Sequence, residues 1–154
     1  MGTDQVIGNG SNNLGTHQVS GEKETDAQRL IGSWRHIGST MNGQPRPGQG
    51  AHPRGIIIYD VHGHMACQVA PDRVVTKAGE RPTGEEAIAA LDSHIAYFGT
   101  YSVDEKARTV THHRQGSVQP GDKGDLVRGY ELNGDRLILR PLGTKVEVIW
   151  ERIK

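Results

Sequence analysis

The stretch LVRGYELNGDRLILRPLGTKVEVIWERI, residues 126–153, decides the fold. It holds three runs in which apolar and polar residues alternate: Leu126–Leu132, Arg136–Pro141 and Lys145–Ile153. A period of two is the signature of a strand with one face buried. The joints between the runs are Asn133-Gly134, a strong two-residue hairpin signal, and the short segment 142–144. Neither has room for a parallel crossover, so the three strands are antiparallel neighbours. Alternation also assigns faces. Lys145, Glu147 and Glu151 point outward, so Val146, Val148, Trp150 and Arg152 point inward. Arg136 and Arg140 point out and leave Leu137 and Leu139 inside, while Glu131 points out and leaves Leu126, Arg128, Tyr130 and Leu132 inside. Arg128 is therefore a guanidinium that faces the interior near the rim, with no acid on its own face of the strand.

Working back toward the N-terminus, five more strand-like runs appear, at Gly32–Thr40, Gly55–Asp60, His64–Val69, Ala96–Val103 and Arg108–Val118. Their connections alternate long and short: 41–53, 61–63, 70–95, 104–107, 119–125. In an up-and-down antiparallel sheet successive connections lie at opposite ends, so the long ones gather at one end and the tight turns mostly at the other. Eight strands closed on themselves leave an interior for packed side chains or one small ligand. The expected fold is all-β, an eight-stranded antiparallel up-and-down barrel. One short helix is expected in a rim loop at about 84–93, where Thr83 caps a run opened by Glu85 and Glu86. A helical turn is expected over Asp26 to Ile31, capped by Thr25 or Asp26. Residues 1–25 hold few large apolar side chains and read as a flexible N-terminal tail ahead of one domain, 26–154.

Composition narrows the function. Lys+Arg and Asp+Glu both number 18, so the formal net charge is +0. Nucleic-acid and anionic-membrane surfaces need a basic excess, so neither partner is expected. No apolar run reaches the length of a membrane span, and the N-terminus lacks the pattern of a signal peptide, so a cytoplasmic location is the default expectation. Cys67 is the single cysteine, which leaves no intrachain disulfide and no cysteine metal cluster, and it reads as a small buried hydrophobe. The expected partner is a small molecule, with no cofactor and no resident metal. Association into a homodimer stays open.

Several residues could give the interior its chemistry. Trp34 and His36 share a face with Gly38 and Thr40. In the run around Val110, one of His112 and His113 must point inward, and alternation does not say which. His94 lies at the helix–strand junction, and Tyr97, Tyr101 and Tyr130 supply phenols. Neutral imidazole can take or give a proton near neutral pH, and a guanidinium can hold a carboxylate or a developing enolate. His112, His113, His36 and Tyr101 are thus the catalytic candidates, and Arg128, Tyr130, Tyr97 and His94 the ligand-binding ones. His62-Gly63-His64 has a metal-like spacing but falls on a tight turn at the closed end. No nucleophile-elbow motif accompanies the serines, so triad hydrolysis is not expected.

The segments LIGSWRHIGS, PRGIIIYDVHGHM, AYFGTYSVDEKARTVTHH and LVRGYELNGDRLIL resemble the bacterial lipocalin-like domain family over about residues 29–153. The Gly-x-Trp at Gly32–Trp34, with an arginine on the last strand, is similar to the calycin pattern. That resemblance implies that Arg152 packs over Trp34 and closes the barrel floor. It implies a ligand cavity but no one reaction. This chain departs from the family in carrying His36 where an aliphatic residue is expected. It also carries Gln119-Pro120-Gly121-Asp122 where an aromatic-containing loop is expected, and both changes make the cavity more polar. The first reading is a binding module for one small, partly apolar, anionic ligand. The second is a cofactor-independent cyclase, isomerase or lyase that uses a cavity histidine with Arg128 and tyrosine. The third, an interaction protein with a filled core, comes last.

Overall fold

A computed structural model describes residues 21–47, 50, 52–73 and 75–154. Most of the expected tail therefore lies outside the described residues. The elements run α1 (Asp26–Leu30), β1 (Gly32–Met41), β2 (Gln44–Pro45), β3 (Arg54–Tyr59), β4 (His64–Ala70), α2 (Gly84–Ser93), β5 (Ile95–Asp104), β6 (Thr109–Ser117), β7 (Gly124–Asn133), β8 (Arg136–Pro141) and β9 (Val146–Arg152). Every pairing is antiparallel, and each of β3 to β9 lies beside its sequence neighbour. β1 pairs with both β3 and β9, from Trp34 against Arg152 to Met41 against Val146, which closes eight strands into a barrel. The two-residue β2 only folds back on the end of β1. The turn behind it is Asn42-Gly43, both at positive φ (52° and 76°), the dihedral signature of a tight hairpin.

The inward faces of β7, β8 and β9 are those expected: Tyr130, Leu132, Leu137, Leu139 and Trp150 are all buried. β1 corrects the expectation. The register slips between His36 and Gly38, so Ile37 is a bulge. A bulge inserts one residue and reverses the alternation beyond it. Trp34 and His36 face in as expected, but Ser39, not Gly38 or Thr40, continues that face, and Ser39 is buried opposite Val148.

The closed end is sealed by α1. Thr25 and Gln28 form a reciprocal capping box, and Leu30 is fully buried. The Trp34 indole donates to the Leu30 carbonyl at 2.9 Å. The Arg152 guanidinium sits 4.1 Å above the Trp34 ring and donates to the carbonyls of Ile31 and Arg29. The floor implied by the sequence resemblance is thus built as expected, with α1 as its plug. The long connections gather at the other end, around the mouth.

Candidate functional site

Barrel alternation on β6 resolves the histidine pair. His112 is fully buried, whereas His113 points outward to Asp125 (2.9 Å) and Ser102 (2.9 Å). His112 lies between two phenols: its Nε2 is 2.7 Å from the Tyr59 hydroxyl and its Nδ1 is 2.9 Å from the Tyr97 hydroxyl. The proton positions follow from satisfaction. Tyr59 is fully buried, and among the described residues its hydroxyl's hydrogen-bond partner is His112, so Tyr59 donates to Nε2 rather than leave a proton stranded. Nδ1–H then donates to the Tyr97 oxygen. Burial is the main force on this imidazole, with the nearby Arg128 charge second, and together they push its pKa down to about 3. At neutral pH His112 is a neutral hydrogen-bonding spacer.

Tyr97 is the junction of the cluster. Burial and the neighbouring Cys67 raise its pKa, while Arg128 opposes them from close to the hydroxyl. Cys67, opposite Tyr97 on β4, is buried with its thiol pushed up to about 12, so it stays a neutral thiol. Arg128 sits at mid-strand on β7, between Val110 and the last residue of β8, Pro141. Among the described residues no carboxylate lies within ion-pair range of it, whereas Arg114, Arg140 and Arg152 all have one. Five side chains thus converge inside the barrel: Tyr59, Cys67, Tyr97, His112 and Arg128.

Other candidates fall elsewhere. Tyr101 packs edge-on against Tyr59 at 4.8 Å and donates to the Asp60 carbonyl at the closed end. Tyr130 faces inward but donates to Asp26 of the α1 plug at 2.9 Å. Burial and that carboxylate push its pKa up to about 12, so its hydroxyl belongs to the floor. His94 caps the end of α2, 2.7 Å from the Ala90 carbonyl, and looks onto the mouth. His36 is buried against Trp150, ring centroids 5.0 Å apart, with Nε2 3.1 Å from the Ser39 hydroxyl. Burial lowers its pKa and the Gly38 backbone only partly restores it.

At the rim is a cavity of about 730 Å³. Ala90 and Leu91 of α2, with His94 just after it, form one wall, and β3 to β5 form the other through inward-facing Gly55, Val69 and Ile95 and outward-facing Ile56, Gln68 and Ala96. Val69 and Ile95 are register partners, each two residues above Cys67 and Tyr97 on the same faces. The cavity therefore straddles the barrel edge one inward row above Cys67 and Tyr97, and none of the five clustered side chains lines it. α2 buries no side chain and stands as a loose roof. Among the described residues no group of three or more potential metal ligands is assembled, and no helix is long and apolar enough to cross a membrane.

Barrel, floor pair and mouth reproduce what the sequence resembled, and the sequence profile of the lipocalin-like domain matches residues 31–153. The chain belongs to the lipocalin-like domain family. No curated protein matches it. Two solved structures similar to this lipocalin-like protein come from Bacteroides. One is a DUF4847 family protein from Bacteroides vulgatus ATCC 8482, at 15% identity and TM-score 0.46, covering 81% of this chain and 94% of that one. The other is an uncharacterized protein from Bacteroides eggerthii DSM 20697, at 10% identity and TM-score 0.47, covering 80% and 99%.

The sequence reading missed Tyr59 and underrated Cys67. The signal for Tyr59 was present: in GIIIYD it shares a face with Ile57, and Ile57 is register partner to Trp34. Cys67 gave none beyond its hydrophobic surroundings.

Proposed function

We propose that this lipocalin-like barrel binds one small, partly apolar monoanion, with the anionic group held inside the barrel by Arg128 and the Tyr97 hydroxyl. One observation carries the reading: Arg128 faces the interior beside Tyr97 with no described carboxylate in range. Even a half-buried guanidinium is costly without a counter-charge, and a ligand carboxylate supplies one.

The test compares benzoate and hexanoate with their neutral amides by titration calorimetry. The acids should bind and the amides should bind at least about tenfold more weakly. Arg128→Met retains much of the side-chain volume, so the fold should survive while acid binding falls about tenfold or more. Equal binding of acid and amide, or undiminished binding by Arg128→Met, refutes the anion site.

A second reading, as a cyclase, isomerase or lyase, is favoured by the placement of His112 between two phenols beside Arg128. The pKa of about 3 weighs against it, because a general base works best with a pKa near the operating pH. Exchange of solvent deuterium into an oxo acid such as acetoacetate, lost in His112→Gln, would support the catalytic reading. No exchange above the buffer rate leaves binding alone.

A further inference from the structure

The outer wall of a barrel is expected to be polar, because alternation sends every second residue into water. On β3 to β6 the outward residues break that rule. Ile58, Ala66, Phe98 and Gly116 are register partners in one row across the four strands. Ile56, Gln68 and Ala96 form the next row toward the rim, and Val118 joins it by donating its backbone N–H to the Ala96 carbonyl. Neither row carries a charge. Ile58, Phe98 and Val118 remain 38%, 57% and 43% exposed.

Phe98 is the anchor of this face. Its ring lies over Gly116 so closely that a Cβ built there would meet ring carbons at 2.5 to 3.3 Å. Gly116 thus seats the ring in a fixed place, yet more than half of it stays in contact with water. Beside the ring is a depression of about 450 Å³ floored by Ala66, Ala96 and Gly116 and edged by Gln68 and Val118. A preset aromatic knob next to an apolar hollow is the anatomy of an interface centre.

The charges around the face say what covers it. Arg35, the register partner of Ile56, is paired to Glu151 at 2.6 Å. Arg114 is paired to Asp122 at 2.6 Å, His64 faces Asp60 at 3.1 Å and His113 faces Asp125 at 2.9 Å. A partner chosen by charge finds little to grip, whereas a copy of this chain brings the same uncharged centre and the same satisfied border. The formal net charge is +0, so two copies do not repel at long range. Knob and hollow lie side by side on one face, so a two-fold axis between them sets each Phe98 in the other copy's hollow. Four strands by three outward rows span roughly 15 Å by 15 Å, which suits the core of a small specific interface that buries about 600 Å² a side with its polar rim.

We infer that the outward face of β3 to β6 is a self-association surface, through which two copies of the chain pair about a two-fold axis with Phe98 as the reciprocal anchor. Gln68, Ala96 and Val118 belong both to the hollow and to the rim cavity, so a docked copy also covers the outer lip of that cavity. The surface lies outside the barrel and is independent of the Arg128 site.

Sedimentation equilibrium on the full chain from about 1 to 200 µM tests this. We expect a monomer–dimer equilibrium with a dissociation constant in the micromolar range, as a small interface implies. Phe98→Glu places two like charges against each other's hollow and should weaken the dimer at least about tenfold, with an unchanged circular dichroism spectrum. Gln68→Lys, at the edge of the hollow, should weaken it in the same direction and keeps the test decisive if the first variant misfolds. Leu142→Glu, exposed on the turn between β8 and β9, should leave the dimer intact. Raising sodium chloride to about 1 M should not loosen an uncharged interface. A chain that stays monomeric to 200 µM overturns the inference. So do a dimer that survives both Phe98→Glu and Gln68→Lys, an open series of larger oligomers in place of a dimer, and a dimer that salt dissolves.

Discussion

His112 is fully buried and neutral, and that makes it a pH liability. Its folded pKa of about 3 lies below the ordinary 6.5, so between those values the unfolded chain binds a proton that the folded chain refuses. Stability from this group is therefore complete above pH 6.5 and is lost as pH falls toward 3, amounting to about 5 kcal/mol at most. His36, shifted the same way by burial, adds to the slope. We expect urea midpoints to fall steeply from pH 6.5 to pH 4.5 in the wild type and less steeply in His112→Gln. An unchanged slope in that variant would show that His112 is solvated. His113→Gln should alter stability little, because it breaks only the half-exposed contacts with Asp125 and Ser102. Much of this site was legible in the sequence. Arg128 announced itself through alternation against Glu131, and the tandem histidines fixed that one would face in. The choice between them was illegible because it depends on the closed barrel: His112 stands opposite Tyr101 and Leu126, both on inward faces, and that pairing is a tertiary fact.

Elements divide into a rigid floor and a loose roof. At the floor, Trp34 meets Leu30, Arg152 and the α1 carbonyls, so Trp34→Ala removes a large buried ring, a hydrogen bond and a cation–π contact together. We expect a loss of about 3–5 kcal/mol, read from equilibrium unfolding. A cost under about 1 kcal/mol would mean that the floor re-packs around the gap. At the mouth, α2 buries nothing and is held by the Thr83–Glu86 capping box, by Glu86 bonded to the Ala78 backbone, and by Gln119 reaching the Leu91 carbonyl. Few buried apolar contacts mean cheap local opening. Hydrogen exchange over residues 75–94 should be fast in the free protein and slow when a carboxylate occupies the mouth, while the turns at 61–63 and 133–135 stay unchanged. Equal slowing at both ends would refute a single mouth. The α2 boundaries were readable because Thr83 and Glu86 form a local cap. Elsewhere the local signal was present but misjudged. Asn133-Gly134 marked a hairpin whose two-residue loop is Gly134-Asp135, while the same dipeptide at Asn42-Gly43 closed a hairpin hidden inside a connection read as one long loop. The Ile37 bulge had no sequence signal, because a bulge is selected by how β1 must bend to reach both β3 and β9.

At the scale of the whole molecule, closure rests on β1. It is hydrogen-bonded along its lower half to β3 and along nearly its full length to β9, so the first and last strands of the family-matched region are one another's neighbours. The core reflects this: one cluster of buried residues runs from Leu30 and Trp34 through Ile57, Cys67, Val110 and Tyr130 to Trp150. No group of consecutive strands owns a separate core, and removing any one strand would leave two open edges. Such a barrel should unfold as one unit. The two tryptophans lie on β1 and β9 and report on closure, whereas far-ultraviolet circular dichroism reports on all the strands together. We expect tryptophan fluorescence and circular dichroism to trace a single guanidinium curve with the same midpoint and slope. If fluorescence changes at lower denaturant, the β1–β9 seam opens first and β3 to β8 survive as an open sheet. That outcome would mean that the continuous core is two weakly coupled halves, and that ligand entry need not pass through the mouth.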